Sequence, residues 1–236
     1  MKKFLLIFTL FLSSLGLKAQ DLNIFNHLGA DLTIGTNGIG IEAVTPITNF
    51  VTLRAGAHFM PNFRFHTDVD ADYQTNGEYY YESIQVDMGM GRTQGSVIFN
   101  VYPIPLSSFF VAVGGYFGGE KIFKVHGHTD NHYLYNGYVN AGGVGIPIDS
   151  NGDIDGGFKV KGFRPYVGLG FGRALPKNRL AFNFELGVQF EGKPKAYTNY
   201  GELKYGDEYS GDDLDKITKY FNLYPVISFK LAGKIF

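Results

Sequence analysis

Several residue groups in this 236-residue chain are of types that do chemistry. His126, His128 and His132, with Asp130 among them, are imidazoles and a carboxylate of the kind that ligate transition metals. His126 and His128 would share a face on a strand. An H-x-H pair with no third ligand at fixed spacing is a signal of low specificity, so these remain weak metal candidates, and no metal or other cofactor is expected. Asp149, Asn151, Asp153 and Asp155 have the spacing of a calcium loop. Started at Asp149, that pattern puts Ile154 where glycine belongs; started at Asn151, it closes on Gly162 instead of glutamate. A hairpin turn at Asn151-Gly152 fits better. Gly38-Ile39-Gly40 leads into no helix, which removes a dinucleotide fingerprint, and no G-x-S-x-G elbow exists. His58 and Ser83 have no sequence context suggesting a nucleophile–base pair, so no enzymatic activity is expected. One set is left: Asp31, Glu42, Arg54, Glu185 and Lys230, scattered along the chain. Its meaning depends on the elements that carry it.

Those elements are strands. In 180–191, Leu180, Phe182, Phe184, Leu186, Val188 and Phe190 alternate with Ala181, Asn183, Glu185, Gly187, Gln189 and Glu191. That is the period of a β-strand with two unlike faces. The windows 51–59, 163–175 and 221–231 repeat the pattern, and 28–35, 39–45, 95–102 and 109–118 show it more faintly, making eight strands. Their connections differ in length. Thr48-Asn49, 103–108 and 176–178 are short, the turn around Asn37-Gly38 is tight, and 67–91, 122–162 and 192–219 are long. Short turns on one rim and long loops on the other are the signature of a transmembrane β-barrel. Within the last long loop, Ser210 with Asp213 three residues on could start one short helix over 210–221.

Composition agrees. Mean hydropathy is −0.06, which alone suggests a soluble chain, but an alternating strand averages to neutrality. The absence of cysteine excludes disulfides, thiolate metal sites and an acylated-cysteine anchor. A net charge of −1 gives no footprint for nucleic acid. Side-chain size decides which face points out. The apolar set carries Phe59, Phe99, Phe109, Phe117, Phe171, Phe182, Phe184, Phe190 and Phe229, too many rings for the interior of an eight-stranded barrel. The opposite set is rich in Gly114, Gly168, Gly170 and Gly172. A soluble lipocalin-like barrel would require the reverse placement. The phenylalanines are therefore assigned to lipid and the small and charged residues to the lumen.

At the N-terminus, Lys2-Lys3, the apolar run Phe4 to Leu12 and the small Ala19 form a secretory leader over 1–20, too short to span a bilayer. Setting aside Lys2, Lys3 and Lys18 from the 21 basic residues leaves 18 against 22 acidic ones, a net charge of −4 over 21–236. Leader, eight alternating strands and unequal rims resemble the small OmpA-type and OmpW-like barrels of Gram-negative outer membranes. The segments GIGIEAVTPITNFVTLRAGAHFMPNF (38–63) and RPYVGLGFGRALPKNRLAFNFELGVQF (164–190) are similar to outer-membrane barrel proteins of the Bacteroidetes, most of which have no assigned activity. The resemblance implies an all-β fold, a closed eight-stranded antiparallel up-and-down barrel in the outer membrane. Its implied partners are outer-membrane lipid and lipopolysaccharide, with no nucleic acid, and a monomer is implied.

On that frame Asp31, Glu42, Arg54, Glu185 and Lys230 all point inward at similar height, Glu42 and Arg54 equally far from position 48. They predict an ion cluster across the lumen. It could act as a gate or as a purely structural pairing, since buried charges must pair. The acidic segment 67–91, with Asp68, Asp87 and several tyrosines, reads either as a cation-bridged contact with lipopolysaccharide or as a solvated loop. Three functions are carried forward: envelope structure or surface contact through the loops, passive transfer of a small or apolar solute, and lipid modification.

Overall fold

A computed structural model describes residues 27–75, 78–104, 107–141, 144–176, 178–198, 200–202 and 222–235. The expected leader at 1–20 and the helix expected at 210–221 lie outside the described residues.

Eight strands close the barrel: β1 (Gly29–Gly35), β2 (Gly38–Thr48), β3 (Val51–Thr75), β4 (Glu78–Val101), β5 (Phe109–Phe117), β10 (Phe163–Phe171), β11 (Leu180–Phe190) and β14 (Leu223–Lys234). The order around the ring is β4-β3-β2-β1-β14-β11-β10-β5, and β5 pairs back onto β4, so no edge is left open. Every neighbouring pair is antiparallel. A closed ring satisfies the backbone without water, as hydrocarbon requires.

Alternation sets the two surfaces. Leu32, Ile41, Leu169, Phe182 and Phe229 point outward and are 57, 58, 53, 81 and 58% exposed. Asp31, Glu42, Arg54, Arg164 and Asn100 point inward and are inaccessible. An apolar outer belt of this extent is untenable in water and appropriate to lipid. The turns β2–β3, β4–β5 and β10–β11 share one rim. The tight β1–β2 turn shares the other with the long segments.

Those long segments are more ordered than the sequence pattern indicates. β3 and β4 continue past the barrel as one paired ribbon, from Met60↔Arg92 up to Thr75↔Glu78, with one irregularity between Met60 and Phe63. Onto the upper part of β4 pair β6 (Lys121–His128), then β9 (Asp153–Lys159), β12 (Lys195–Thr198) and the short β13 (Gly201–Glu202). A 3₁₀ turn (His132–Leu134) and a separate two-stranded sheet, the hairpin β7 (Tyr138–Ala141) with β8 (Val144–Pro147), lie against this outer sheet. It has its own core of Ile84, Val86, Val125, Leu134, Ile146, Ile148 and Ile154. In the sequence, the alternation of Ile84, Val86 and Met88 against Gln85, Asp87 and Gly89 is hidden by the density of Asp and Tyr beside it.

Candidate functional site

Within the lumen, β2, β3, β11 and β14 bring four of the expected charges into a closed ring. Arg54 Nη1 lies 2.9 Å from Glu42 Oε2, and Arg54 Nη2 lies 2.9 Å from Glu185 Oε2. Lys230 Nζ completes the ring at 2.8 Å from Glu185 Oε2 and 3.2 Å from Glu42 Oε2. Cations and anions alternate, so each charge has two neighbours of opposite sign. Glu42 does not sit directly opposite Arg54. The β2–β3 turn is centred one residue later than expected, so Arg54 pairs with Val44 and Glu42 with Gly56. Gly56 has no side chain, and a Cβ there would meet Glu42 Cγ at 2.8 Å. Asp31 on β1 faces Glu42 in the register, but among the described residues no protein donor reaches its carboxylate. It stands beside the ring and outside it.

Further residues attach to the ring. Tyr166 Oη donates to Glu185 Oε1 at 2.6 Å. His58 Nε2 lies 3.5 Å from Glu42 Oε1 and 3.0 Å from Ser96 Oγ, and its Nδ1 lies 3.4 Å from Thr33 Oγ1. This Ser–His contact lacks a catalytic arrangement. The carboxylate and the serine share one ring nitrogen, whereas a triad sets them on opposite nitrogens, and both His58 and Ser96 are buried. Glycine makes room for the large side chains: a Cβ on Gly187 would meet Tyr166 Oη at 2.2 Å, and one on Gly170 would meet the Phe110 ring at 2.2 Å.

The lumen is also filled on both sides of the ring. Toward the short-turn rim lie Tyr102, Phe110, Ala112 and Ile98, and Tyr102 Oη accepts the Ala174 N–H at 3.0 Å. Toward the other rim, Arg164 donates to Gln189 Oε1 (3.2 Å), Gln94 Oε1 (2.8 Å), the Lys161 carbonyl (2.9 Å) and the Gly118 carbonyl (2.6 Å). Arg92 pairs with Glu191 and lies over the Tyr224 ring, 4.4 Å from its centroid. Sequence reasoning did not single out Arg164, Arg92 or Glu191. Parity points to Arg164, which shares its face with Tyr166, Gly168 and Gly170. Arg92 lies outside the expected window 95–102, because the strand continues where the apolar alternation stops.

The histidine candidates are not gathered. His126 Nδ1 pairs with Asp155 at 2.7 Å, His128 Nδ1 with Asp153 at 2.8 Å, and His128 Nε2 with Asp130 at 3.3 Å. His132 sits apart in the 3₁₀ turn, edge-on to Tyr135. Among the described residues no three such side chains are arranged to hold a metal ion. Asp149 closes a tight turn, its carboxylate accepting the N–H groups of Asn151 (2.7 Å) and Asp153 (2.8 Å), with Gly152 at φ +85°.

No family model and no curated protein matches the chain. Among the solved structures that resemble it are two from Acinetobacter baumannii. The crystal structure of Acinetobacter baumannii CarO gives a TM-score of 0.47 at 16% identity, covering 87% of this chain and 96% of that one. The crystal structure of Acinetobacter baumannii CarO2 gives a TM-score of 0.51 at 19% identity over 89% of this chain and 99% of that one, and at such identity the likeness is one of fold, an eight-stranded antiparallel barrel.

Proposed function

We propose that the protein is a non-enzymatic, integral outer-membrane barrel of a Gram-negative bacterium, exported by a leader at 1–20, with a closed lumen and an outer sheet that contacts the surroundings. The observation that carries this reading is the filled interior. A ring of four charges, each at most 4% exposed, crosses a lumen packed with Tyr102 and Phe110 on one side and Arg164 on the other. An eight-stranded barrel is just wide enough for side chains to fill it. The apolar belt supports insertion in lipid, and the separately cored outer sheet supports a role in surface contact. Lipopolysaccharide is the partner this arrangement suits.

The test is planar-bilayer recording of the full chain, together with fractionation and heat-modifiable gel mobility. The expected result is membrane recovery, a mobility shift on boiling and no discrete conductance steps. Discrete steps would replace closure with passive solute transfer. Recovery in the soluble periplasm would overturn the whole reading.

A further inference from the structure

One imidazole of the outer sheet has a carboxylate at each of its nitrogens. β6 buries Val125 and Gly127 and turns His126 and His128 to the opposite, exposed face. On the neighbouring β9, Asp155 pairs in register with His126 and Asp153 with His128. Each carboxylate meets the Nδ1 of its partner, at 2.7 Å and 2.8 Å. At His128 a second carboxylate stands on the other side, with Asp130 Oδ1 3.3 Å from Nε2. The turn after β6 puts Asp130 there. The Thr129 N–H donates to the Gly152 carbonyl at 2.9 Å, the Asn131 N–H donates to Thr129 Oγ1 at 3.1 Å, and the Asn131 side chain bonds Glu82. The Asp130 side chain itself is fully exposed.

The proton count gives this arrangement a chemistry. A carboxylate only accepts, so the bond to Asp153 keeps the proton on Nδ1, and a neutral imidazole then has its lone pair on Nε2. That lone pair faces Asp130, and the contact is repulsive unless a cation lies between them. In acid the cation is a second proton. Above the titration of the ring it is a metal ion, and the spacing admits one. Two ligands at about 2.0–2.1 Å on a tetrahedral ion stand about 3.3 Å apart. A carboxylate on the far nitrogen is also what orients a metal-binding histidine and raises its basicity. His126 lies on the same face, about 6.5 Å along the strand, with its own Nδ1 held by Asp155 and its Nε2 free to turn toward the ion. Among the described residues no three ligands converge beforehand, so this third donor is recruited by the ion.

We propose that the outer sheet binds one zinc ion between His128 Nε2 and Asp130, with His126 as the third ligand and water in the fourth position. Asp153 is a positioning residue, acting on the ion through the Nδ1 side of His128. Imidazole and carboxylate together suit zinc among the divalent ions. The inference goes beyond the membrane reading and stands whether or not the lumen conducts.

The test is a zinc titration of the untagged full chain in detergent micelles, followed by calorimetry and histidine NMR. Wild type should take up one equivalent, with the largest imidazole change at His128, and zinc should move the His128 titration midpoint to lower pH, because metal and proton compete for Nε2. Asp130→Asn should weaken zinc binding by at least about tenfold, the lower end of what one altered group at a metal site costs. Its side chain is fully exposed, so the fold is kept. His128→Gln should abolish saturable uptake. Asp153→Asn removes no ligand and should still cost about 10–100-fold. His66→Gln is the control: His66 is on the same face, bonded through Nδ1 to Asp87, and the variant should match wild type. A His128 midpoint that zinc leaves in place, or Asp130→Asn binding as tightly as wild type, overturns the site and leaves a proton as the only cation between His128 and Asp130. A loss in His66→Gln equal to that in Asp130→Asn means diffuse adsorption to the face, which overturns it as well.

Discussion

At the scale of single residues, the lumen makes sharp predictions because its charges are buried and depend on one another. Arg54 bridges two carboxylates at 2.9 Å each, and its side chain is inaccessible. Arg54→Ala leaves Glu42 and Glu185 with only Lys230 between them. The expected cost is about 3–5 kcal/mol, the usual penalty for removing one member of a buried pair. It is read as an earlier melt in detergent; an unchanged melt would remove the ring from the stability of the barrel. Gly187→Ala acts by volume: its Cβ would sit 2.2 Å from Tyr166 Oη, and about 1–3 kcal/mol is expected as the ring is displaced. On the outer sheet, a hydrogen bond to Asp153, with a second to Asp130, raises the His128 pKa above its ordinary 6.5. The pairing therefore favours the folded sheet fully below pH 6.5, and the benefit is lost as pH rises through the higher folded value. A histidine NMR titration should show this elevation, and Asp153→Asn should lower it; a midpoint unmoved by that change would refute the assignment. Much of the ring was legible from parity, since Glu42, Arg54, Glu185 and Lys230 all break the polar side of alternating strands. The exclusion of Asp31 was not, because it depends on which donors the neighbouring strands happen to deliver.

At the scale of elements, the outer sheet has a core separate from the barrel, and the two should be separable by mutation. Ile154 is fully buried among Val125, Ile146 and Ile148. Ile154→Ala should cost about 2–5 kcal/mol locally. Amide exchange should accelerate in β6 and β9 while protection of β1, β2 and β14 is retained. Uniform acceleration would mean that sheet and barrel open together. The eight barrel strands could be found in the sequence because lipid on one side and a crowded lumen on the other impose strict alternation. Above the belt the constraint weakens. One face of β4 covers a small core while the other carries Asp87 and Gln85, and β6, β9 and β12 are short. Such strands are hard to distinguish from polar loops until their partners are known.

At the scale of the whole molecule, a single continuous ribbon joins two structures with different solvents. The lower part of β3 and β4 is barrel wall, with Phe59 and Phe99 outward; the upper part backs the core around Val86. Because the ring is closed and its interior packed, the barrel should behave as a rigid mount. Variants that disturb only the outer sheet should keep the heat-modifiable mobility of wild type, and loss of the shift in Ile154→Ala would contradict this. The sequence could not reveal how one strand serves both parts, since nothing local marks the residue at which a strand changes neighbours.

That change of neighbours has a bearing on how the chain can vary in length. β4 meets β5 below Gly95 and β6 above Gly89, and the same alternation runs through the gap. Removing or adding one residue there would exchange the two faces of everything above it, turning Val86 outward and Asp87 into the core. An offsetting irregularity already exists on β3 between Met60 and Phe63, on the other side of the ribbon. Length changes in this protein should therefore be tolerated in the connections beyond the strands and rejected at 90–94, where one peptide unit sets which side of the outer sheet covers its core.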